Sequence, residues 1–418
     1  MSFMLYYLSQ MNMNGKSVLR WLILGLPFAL PFYLVRFHVG SLPTTLLEVY
    51  FGLMVILFLY ECGWPGVCDG WNQLSRWRVP MIAWFAVGLL SIFVSPNFFV
   101  SLGLWRAYIL EPLMIFFIVM TVVRVEEDVR RLRSNLFLVV LMLGILSLIQ
   151  FFTGWGIPHP WDVSILAGRR AVGPFLYPNA LALFVTPVGA WAFALWVTKI
   201  TSIKSQASKI WNLEFGTWIF SLIVILVARS NGGLVAFLVT ALLILACASR
   251  TTRRVAGGLI VLAVAVCVIA TPIRSKVVKT LTFHQWSGQV RLFIWRETWQ
   301  MLKDRPIFGA GLSGYPIVFK PYHRATAIEI FQYPHNILFN FWSEMGLLGV
   351  IVFGWILIIW IRSGRGAVSA PWARGGVIPP LLAILIHGLV DVPYFKNDLA
   401  ILFWLLIFLT TAEVTIEA

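Results

Sequence analysis

The ionisable side chains of this sequence that could do chemistry fall in a few short stretches. Arg169 and Arg170 are adjacent in Gly168-Arg169-Arg170-Ala171-Val172-Gly173-Pro174-Phe175-Leu176-Tyr177-Pro178-Asn179. Two guanidinium groups on one loop can grip a phosphate bidentately, which a lysine cannot; they suit anchoring to lipid headgroups equally well. Arg229 stands in Ala228-Arg229-Ser230-Asn231-Gly232-Gly233, where the glycines either admit another molecule close to the backbone or simply close a turn. Arg291, Arg296 and Lys303 punctuate a third stretch, as phosphate ligands or as a solvated stripe. In the fourth, Tyr333-Pro334-His335-Asn336, a neutral imidazole with an ordinary pKa near 6.5 can take a proton from a hydroxyl, help worth typically ~10²–10⁴ in rate. His335 is the candidate base, although a histidine at a helix start also serves as a cap or a packing residue.

Two pairs rank behind these. His387 and Asp391 are four apart and expected on one face of one span, where the carboxylate would orient or charge the imidazole, or the two would simply pair structurally. Arg106 and Glu111 are five apart, about 140° around an α-helix, and are therefore expected not to pair with each other. Arg106, near the end of its span, can snorkel or join the site.

What must position these groups is a set of membrane helices. The chain has 418 residues, 60% hydrophobic and only 12% charged, with a mean hydropathy of +0.86. Soluble chains carry about 25% charged residues, so there is too little polar surface here for a water-facing globule, and a soluble enzyme is excluded. The apolar runs have the length that crosses about 30 Å of hydrocarbon as helix. The alternating ten-residue segments of a membrane β-barrel are missing. Twelve spans are expected, at about 20–36, 45–60, 79–95, 101–123, 135–153, 175–198, 215–228, 232–249, 255–271, 336–361, 377–392 and 397–412. The expected class is thus an all-α polytopic membrane protein: residues 1–271 hold spans one to nine, 272–335 a large loop subdomain, and 336–418 spans ten to twelve. Lys16 and Arg20 precede the first apolar run and no small-residue cleavage site follows it, so that run is expected to be a retained span.

The formal charge is +15. In a soluble protein that would suggest nucleic acid; in a membrane protein basic loops set topology. With the N-terminus cytoplasmic, Lys16, Arg20, Arg76, Arg78, Arg124, Arg130, Arg131, Arg133, Lys199, Lys204, Lys209, Arg250, Arg253, Arg254, Arg362, Arg365 and Arg374 lie inside. The short outer loops hold only Arg36, Arg169, Arg170, Arg229 and Lys396. Both ends are then expected in the cytoplasm and the 272–335 segment outside, with the candidate site. Within that segment Leu292, Trp295, Trp299 and Leu302 recur at helical spacing, which predicts an amphipathic helix over 288–304 lying at the outer interface. Cys62, Cys68, Cys247 and Cys267 show neither metal-ligand nor disulfide spacing and are read as packing residues. No acidic metal motif is visible in the outer segments, and no metal, cofactor or nucleic-acid partner is expected.

Three blocks in order, GRRAVGPFLYPNALALFVTP from Gly168, ARSNGGLVAFL from Ala228, and VRLFIWRETWQMLKDRPIFGAGLSGYP through YPHNILFNFWSEMGLLG, give a resemblance to the O-antigen ligase and polymerase superfamily of bacterial membrane proteins. The resemblance spans roughly residues 165–395. It implies glycosyl transfer at the outer face of the inner membrane, from undecaprenyl pyrophosphate to a sugar hydroxyl of lipid A–core in ligases, or to another lipid-linked glycan in polymerases. Arg170, Arg291 and His335 match the family's pyrophosphate-binding arginines and its base. Arg169, Arg229, Arg106, Arg296 and Asn336 are the further candidates for donor or glycan contact, with His387 and Asp391 behind them. The family's Ser-Arg-Gly reads differently here, with Asn231 at the arginine's place and Arg229 two residues earlier. The implied reaction is one inverting displacement at the anomeric carbon. A flippase would concentrate its ionisable groups near the membrane midplane instead.

Overall fold

The computed structural model describes residues 18–40, 42–201, 211–325, 327–364 and 376–412. Among the basic residues assigned above to cytoplasmic segments, Lys16, Lys204, Lys209, Arg365 and Arg374 lie outside the described residues. Among the described residues the architecture is helical apart from one antiparallel hairpin of β1 (Arg36–Val39) and β2 (Leu42–Thr45).

In chain order the helices are α1 (Val18–Ala29, extended by a 3-10 turn to Leu34), α2 (Leu46–Gln73), α3 (Arg78–Val94), α4 (Phe98–Val122), α5 (Glu126–Thr153), α6 (Pro178–Thr201), α7 (Leu213–Val227), α8 (Asn231–Ala248), α9 (Arg250–Ile269), α10 (Thr271–Leu281), α11 (Trp286–Asp304), α12 (Tyr315–Phe319), α13 (Ile337–Ser363), α14 (Ile378–Gly388) and α15 (Asn397–Thr411). Seven of these (α2, α4, α5, α6, α8, α9 and α13) are long and apolar enough to cross a membrane. Shorter apolar helices occupy the other expected spans: Val18–Leu34, α3, α7, α14 and α15. The chain is a multi-pass membrane protein.

Local chemistry sets the helix ends. Thr45 and Glu48 form a reciprocal capping box that starts α2, with Glu48 N–H donating to Thr45 Oγ1 at 3.2 Å and Thr45 N–H to Glu48 Oε2 at 3.1 Å. Asn212, Ser230 and Asn336 cap α7, α8 and α13, and Gly154 in the left-handed region closes α5. Helix α6 runs through the middle of the bundle against α7, α8 and α14. Helix α9 is peripheral and packs on α8 and α10 alone among the stronger contacts. An aromatic core joins α3, α13 and α15: Trp84 and Trp404 both donate their indole N–H to the Tyr394 hydroxyl, at 3.0 and 3.3 Å, and that hydroxyl donates to the Tyr108 carbonyl at 2.9 Å.

Helix α4 overturns one expectation. Residues Arg106–Leu110 form a π-turn, in which the Glu111 N–H donates to the Arg106 carbonyl five residues back. The wider turn brings residues i and i+5 into line, so Arg106 Nε lies 3.3 Å from Glu111 Oε1. The 140° separation holds only for an unbroken α-helix. Arg106 also pairs with Glu48 at 2.6 Å.

The Pro306-Ile307-Phe308-Gly309-Ala310-Gly311 segment is a turn that docks on α13 and on the end of α3. Ala310 N–H donates to the Ser343 carbonyl (2.7 Å), Leu347 N–H to Ile307 (2.9 Å) and Leu312 N–H to Ser91 (3.2 Å). Helix α13 breaks at Gly346, whose φ of 69° and ψ of −175° leave the helical region, and the freed backbone groups meet the docked segment. A Cβ on Gly309 would lie 2.3 Å from the Trp342 carbonyl oxygen, and one on Gly346 2.2 Å from that of Ile307. Gly309→Ala and Gly346→Ala are each expected to destabilise the protein by about 1–3 kcal/mol, as overpacking does, and at both positions the left-handed φ, 65° and 69°, adds to the cost. Thermal unfolding in detergent checks this, and unchanged melting for both would contradict the docking.

Candidate functional site

The loop before α6, the α7–α8 turn, α11, the start of α13 and the segment after α14 meet at one end of the bundle. The groups they bring together are Arg170, Arg229, Arg291, His335, Asn179 and Asp391. Asp391 is the centre. Its Oδ2 accepts from Asn179 Nδ2 at 3.0 Å, and its Oδ1 accepts from the Val392 N–H at 2.9 Å and faces His335 Nδ1 at 3.4 Å. The carboxylate is 2% exposed. Asn179 passes the contact on, since its Oδ1 accepts from Arg170 Nη2 at 3.0 Å. A continuous path thus runs from the guanidinium of Arg170 through an amide and a carboxylate to the imidazole.

The two main arginines are held in the same manner. Arg170 donates from Nε to the Ala228 carbonyl at 2.8 Å and lies over the Trp161 ring, 4.8 Å from its centroid. Arg291 donates from Nε to the Val390 carbonyl at 2.7 Å and from Nη1 to Ser287 at 3.2 Å. Among the described residues, Nη1 of Arg170 and Nη2 of Arg291 meet no protein acceptor, so each group is anchored on one side and free to donate on the other. Burial lowers the Arg170 pKa to about 10, with repulsion from Arg229 and Arg291 adding to it and Asp391 opposing it; the group stays charged at neutral pH. Burial likewise lowers that of Arg291, against the pull of Asp391 and Tyr333. Arg170 and Arg291 face one carboxylate, and the exposed Arg229, which donates from Nη2 to the Ile165 carbonyl at 3.0 Å, adds its charge beside Arg170, a surplus of positive charge that suits a multiply charged anion.

Helix α11 fixes the geometry of the base. Arg291 reaches the carbonyl before Asp391, and Trp295, one turn on, donates its indole N–H to the Pro334 carbonyl at 2.8 Å, next to His335. One helix face therefore ties together the two segments that carry the imidazole and its carboxylate. His335 has φ of +51° and Arg229 of +48°, both in the left-handed region that non-glycine residues rarely adopt. The imidazole packs edge-on against Phe331 and Tyr333, with ring centroids at 5.0 and 4.9 Å.

Other expected residues take different places. Arg169 turns away from Arg170 and donates to the carbonyls of Val163, Phe151 and Phe152 at 2.8, 3.1 and 3.1 Å, closing the end of α5, so the adjacent pair does not act as one clamp. Arg106 is engaged by Glu48 and Glu111, and among the described residues no contact joins it to the cluster. Arg296 is exposed on α11. The buried face of that helix is Val290, Ile294, Thr298, Met301 and Leu302, whereas Leu292 and Trp299 of the expected stripe are exposed. The Thr298–Tyr315 hydroxyl contact at 2.7 Å selects the neighbouring face. Asn336 caps α13 through Oδ1 and donates from Nδ2 to the Leu389 carbonyl at 3.0 Å.

Asp391 is not on the span with His387: α14 ends at Gly388, so the carboxylate turns to His335 instead. His387 is buried with its Nδ1 unpartnered, against Gly232 and Gly233. A Cβ on Gly232 would come 2.6 Å from Val390 Cγ2, which accounts for the glycine pair by close packing. Asn231 donates to Gln285 Oε1 at 3.1 Å, while Arg229 provides the charge coupled to Arg170. Asn179 is the residue that sequence reasoning left out; an amide in the first turn of an apolar helix was the available signal. Among the described residues no group of three or more His, Cys, Asp or Glu side chains gathers as a metal-ligand set.

Residues 216–354 match the family model described as O-antigen ligase. The chain carries an O-antigen ligase family domain there, and the match includes Arg229, Arg291, His335 and Asn336 but stops short of Arg170 and Asp391 on either side. No curated protein matches the chain.

Burial alone would push the Asp391 carboxyl up, but the hydrogen bond to His335, the imidazoles beside it and the Arg291 guanidinium outweigh it and hold the group below the usual carboxylate range. A carboxylate whose folded pKa lies below its unfolded value of about 3.9 adds stability above that value and loses it as pH falls toward the folded pKa. Asp391→Asn is expected to melt below the parent at neutral pH, with the gap narrowing as pH falls below about 4. Melting curves across that range check it; a gap independent of pH would mean that charge does not hold Asp391.

Proposed function

We propose, starting from this O-antigen ligase family domain and the cluster built on Asp391, that the chain is a ligase-like glycosyltransferase of the bacterial inner membrane. In this reading all twelve apolar helices cross the bilayer, both termini are cytoplasmic, and the cluster faces the periplasm. The observation that carries the proposal is the convergence of two anchored guanidinium groups, with a third beside Arg170, on one buried carboxylate that faces the His335 imidazole. A glycan on undecaprenyl pyrophosphate supplies the anion that this surplus of charge would hold.

The chemistry follows from the anchoring. Arg170 and Arg291 each use one edge of the guanidinium on the protein and offer the other to the diphosphate, with Arg229 at the rim. With His335 Nδ1 directed at Asp391, Nε2 is left to take the proton of the acceptor hydroxyl. The acceptor oxygen then bonds to the anomeric carbon as the bond from that carbon to the diphosphate oxygen breaks. Undecaprenyl diphosphate leaves, its charge stabilised by the arginines, and configuration inverts in the single displacement. Arg169 and Asn336 act here as framework, since their polar groups are committed to backbone.

The acceptor is a sugar hydroxyl of lipid A–core in the ligase reading. The same constellation serves a polymerase, whose acceptor is another lipid-linked glycan, and product identification separates the two. Purified protein incubated with lipid-linked glycan and each acceptor, without nucleotide, is expected to transfer glycan to lipid A–core. His335→Ala is expected to lower transfer by at least ~10²-fold while melting as the parent does. Arg170→Lys and Arg291→Lys are expected to raise the KM for donor, because a lysine cannot hold its backbone acceptor and reach the diphosphate together. Near-parental transfer by His335→Ala would overturn the base assignment.

A further inference from the structure

Beside the cluster, the described residues hold a second group of polar side chains that the proposed chemistry does not use. Lys396 Nζ sits over the rings of Tyr33 and Phe175, 5.5 and 5.6 Å from their centroids, and makes no ion pair among the described residues. Two residues on, in the first turn of α15, Asp398 is 0% exposed, and no side chain donates to either of its carboxylate oxygens, which have only the backbone N–H groups of Asp398 and Leu399 beside them. Tyr33 and Tyr108 both feel the charge of Asp398. Tyr333 is coupled to Tyr108 on one side and to Asp391 and Arg291 on the other, and its ring lies against His335. Among the described residues, the hydroxyls of Tyr33, Tyr108 and Tyr333 have no protein hydrogen-bond partner; Tyr33 as a residue is 4% exposed, and Tyr108 and Tyr333 are half-buried.

A buried carboxylate normally finds side-chain partners, phenol hydroxyls within reach of a ligand are ready to bind one, and ionisable groups at membrane depth mark substrate paths. We infer that Tyr33, Tyr108, Tyr333, Phe175, Lys396 and Asp398 form a sugar-binding subsite for the acceptor glycan, leading to His335. The chemical class follows from the set. A carboxylate accepts from sugar hydroxyls, an ammonium donates to them, phenols do both, and the aromatic rings give flat faces for a sugar ring. A phosphate is a poor occupant because Asp398 would repel it, and the guanidinium cluster is the better place for one.

This inference rests on the glycosyltransferase reading, and the test keeps the two apart. Initial rates of the purified protein are measured with lipid-linked glycan as donor and, in turn, lipid A–core and lipid-linked glycan as acceptor, varying each substrate separately. In parallel, binding of delipidated core oligosaccharide and of lipid-linked glycan is followed by intrinsic tryptophan fluorescence, which needs no turnover. Tyr33→Phe and Asp398→Asn are expected to raise the acceptor KM at least ten-fold, leave the donor KM within two-fold, and weaken acceptor binding in proportion. Arg170→Lys should do the converse. Lys396→Met, whose side chain lies over rings rather than within the packed core, covers the case in which Asp398→Asn fails to fold. An unmoved acceptor KM, or donor and acceptor KM rising together, overturns the subsite. A parent protein that transfers nothing overturns the glycosyltransferase reading, and the binding series then decides the subsite alone: parental affinity in the variants, or no binding by the parent, overturns it.

Discussion

Like charges do not gather unless something holds them, and here the restraint on Arg170, Arg229 and Arg291 is backbone geometry with one carboxylate behind it. Each main guanidinium is tied by its Nε to a carbonyl, Ala228 for Arg170 and Val390 for Arg291. Asp391 offsets part of their repulsion and at the same time addresses the imidazole of His335. Loss of that carboxylate would leave three cations and no internal anion to organise them. The framework of the site, from the caps of α8 and α13 to the short reach of α14, keeps this arrangement from relaxing.

Helix α11 is the piece that makes the arrangement rigid. Its buried face holds it against α12 and α13, and the turn after it is sewn to the break in α13 by backbone hydrogen bonds. Arg291 and Trp295, four apart, then fall on one face and reach the segments of Asp391 and His335. The glycines at 309 and 311 that read in the sequence as loop punctuation thus have a positional role: they let chain pass flat against chain, so that the helix before them cannot slide.

The apolar helices were legible because hydropathy and length act locally, and each expected span coincides with an apolar helix to within a few residues, except that α2 runs on to Gln73, α5 starts nine residues early at Glu126 and α14 stops short at Gly388. The candidates Arg170, Arg229, Arg291 and His335 were legible as types in loops. Their partners were not, because contacts such as Asn179 with Asp391 join residues far apart in sequence and no local pattern encodes them. Asp391 was read with His387 on the assumption that α14 continues, and the early end of that helix redirects it. Arg169 and Arg170 are chemically identical neighbours, and only the nearby carbonyls of the α5 terminus show that one of them is framework. The stripe on α11 failed for a related reason: periodicity finds apolar positions but does not say which of two overlapping faces meets the core.

The π-turn in α4 reaches beyond the ion pair it creates. One surplus residue in a helical turn sets back the angular phase of everything after it by about 100°. The stretch Phe98–Trp105 addresses α3, while Glu111–Val122 addresses α2 and α15. A straight rod of uniform pitch would present one continuous side to one neighbour. This slip lets a single crossing act as two differently oriented half-crossings, which ties the hairpin end of α2, through Glu48, to the base of the tyrosine-lined region beside His335.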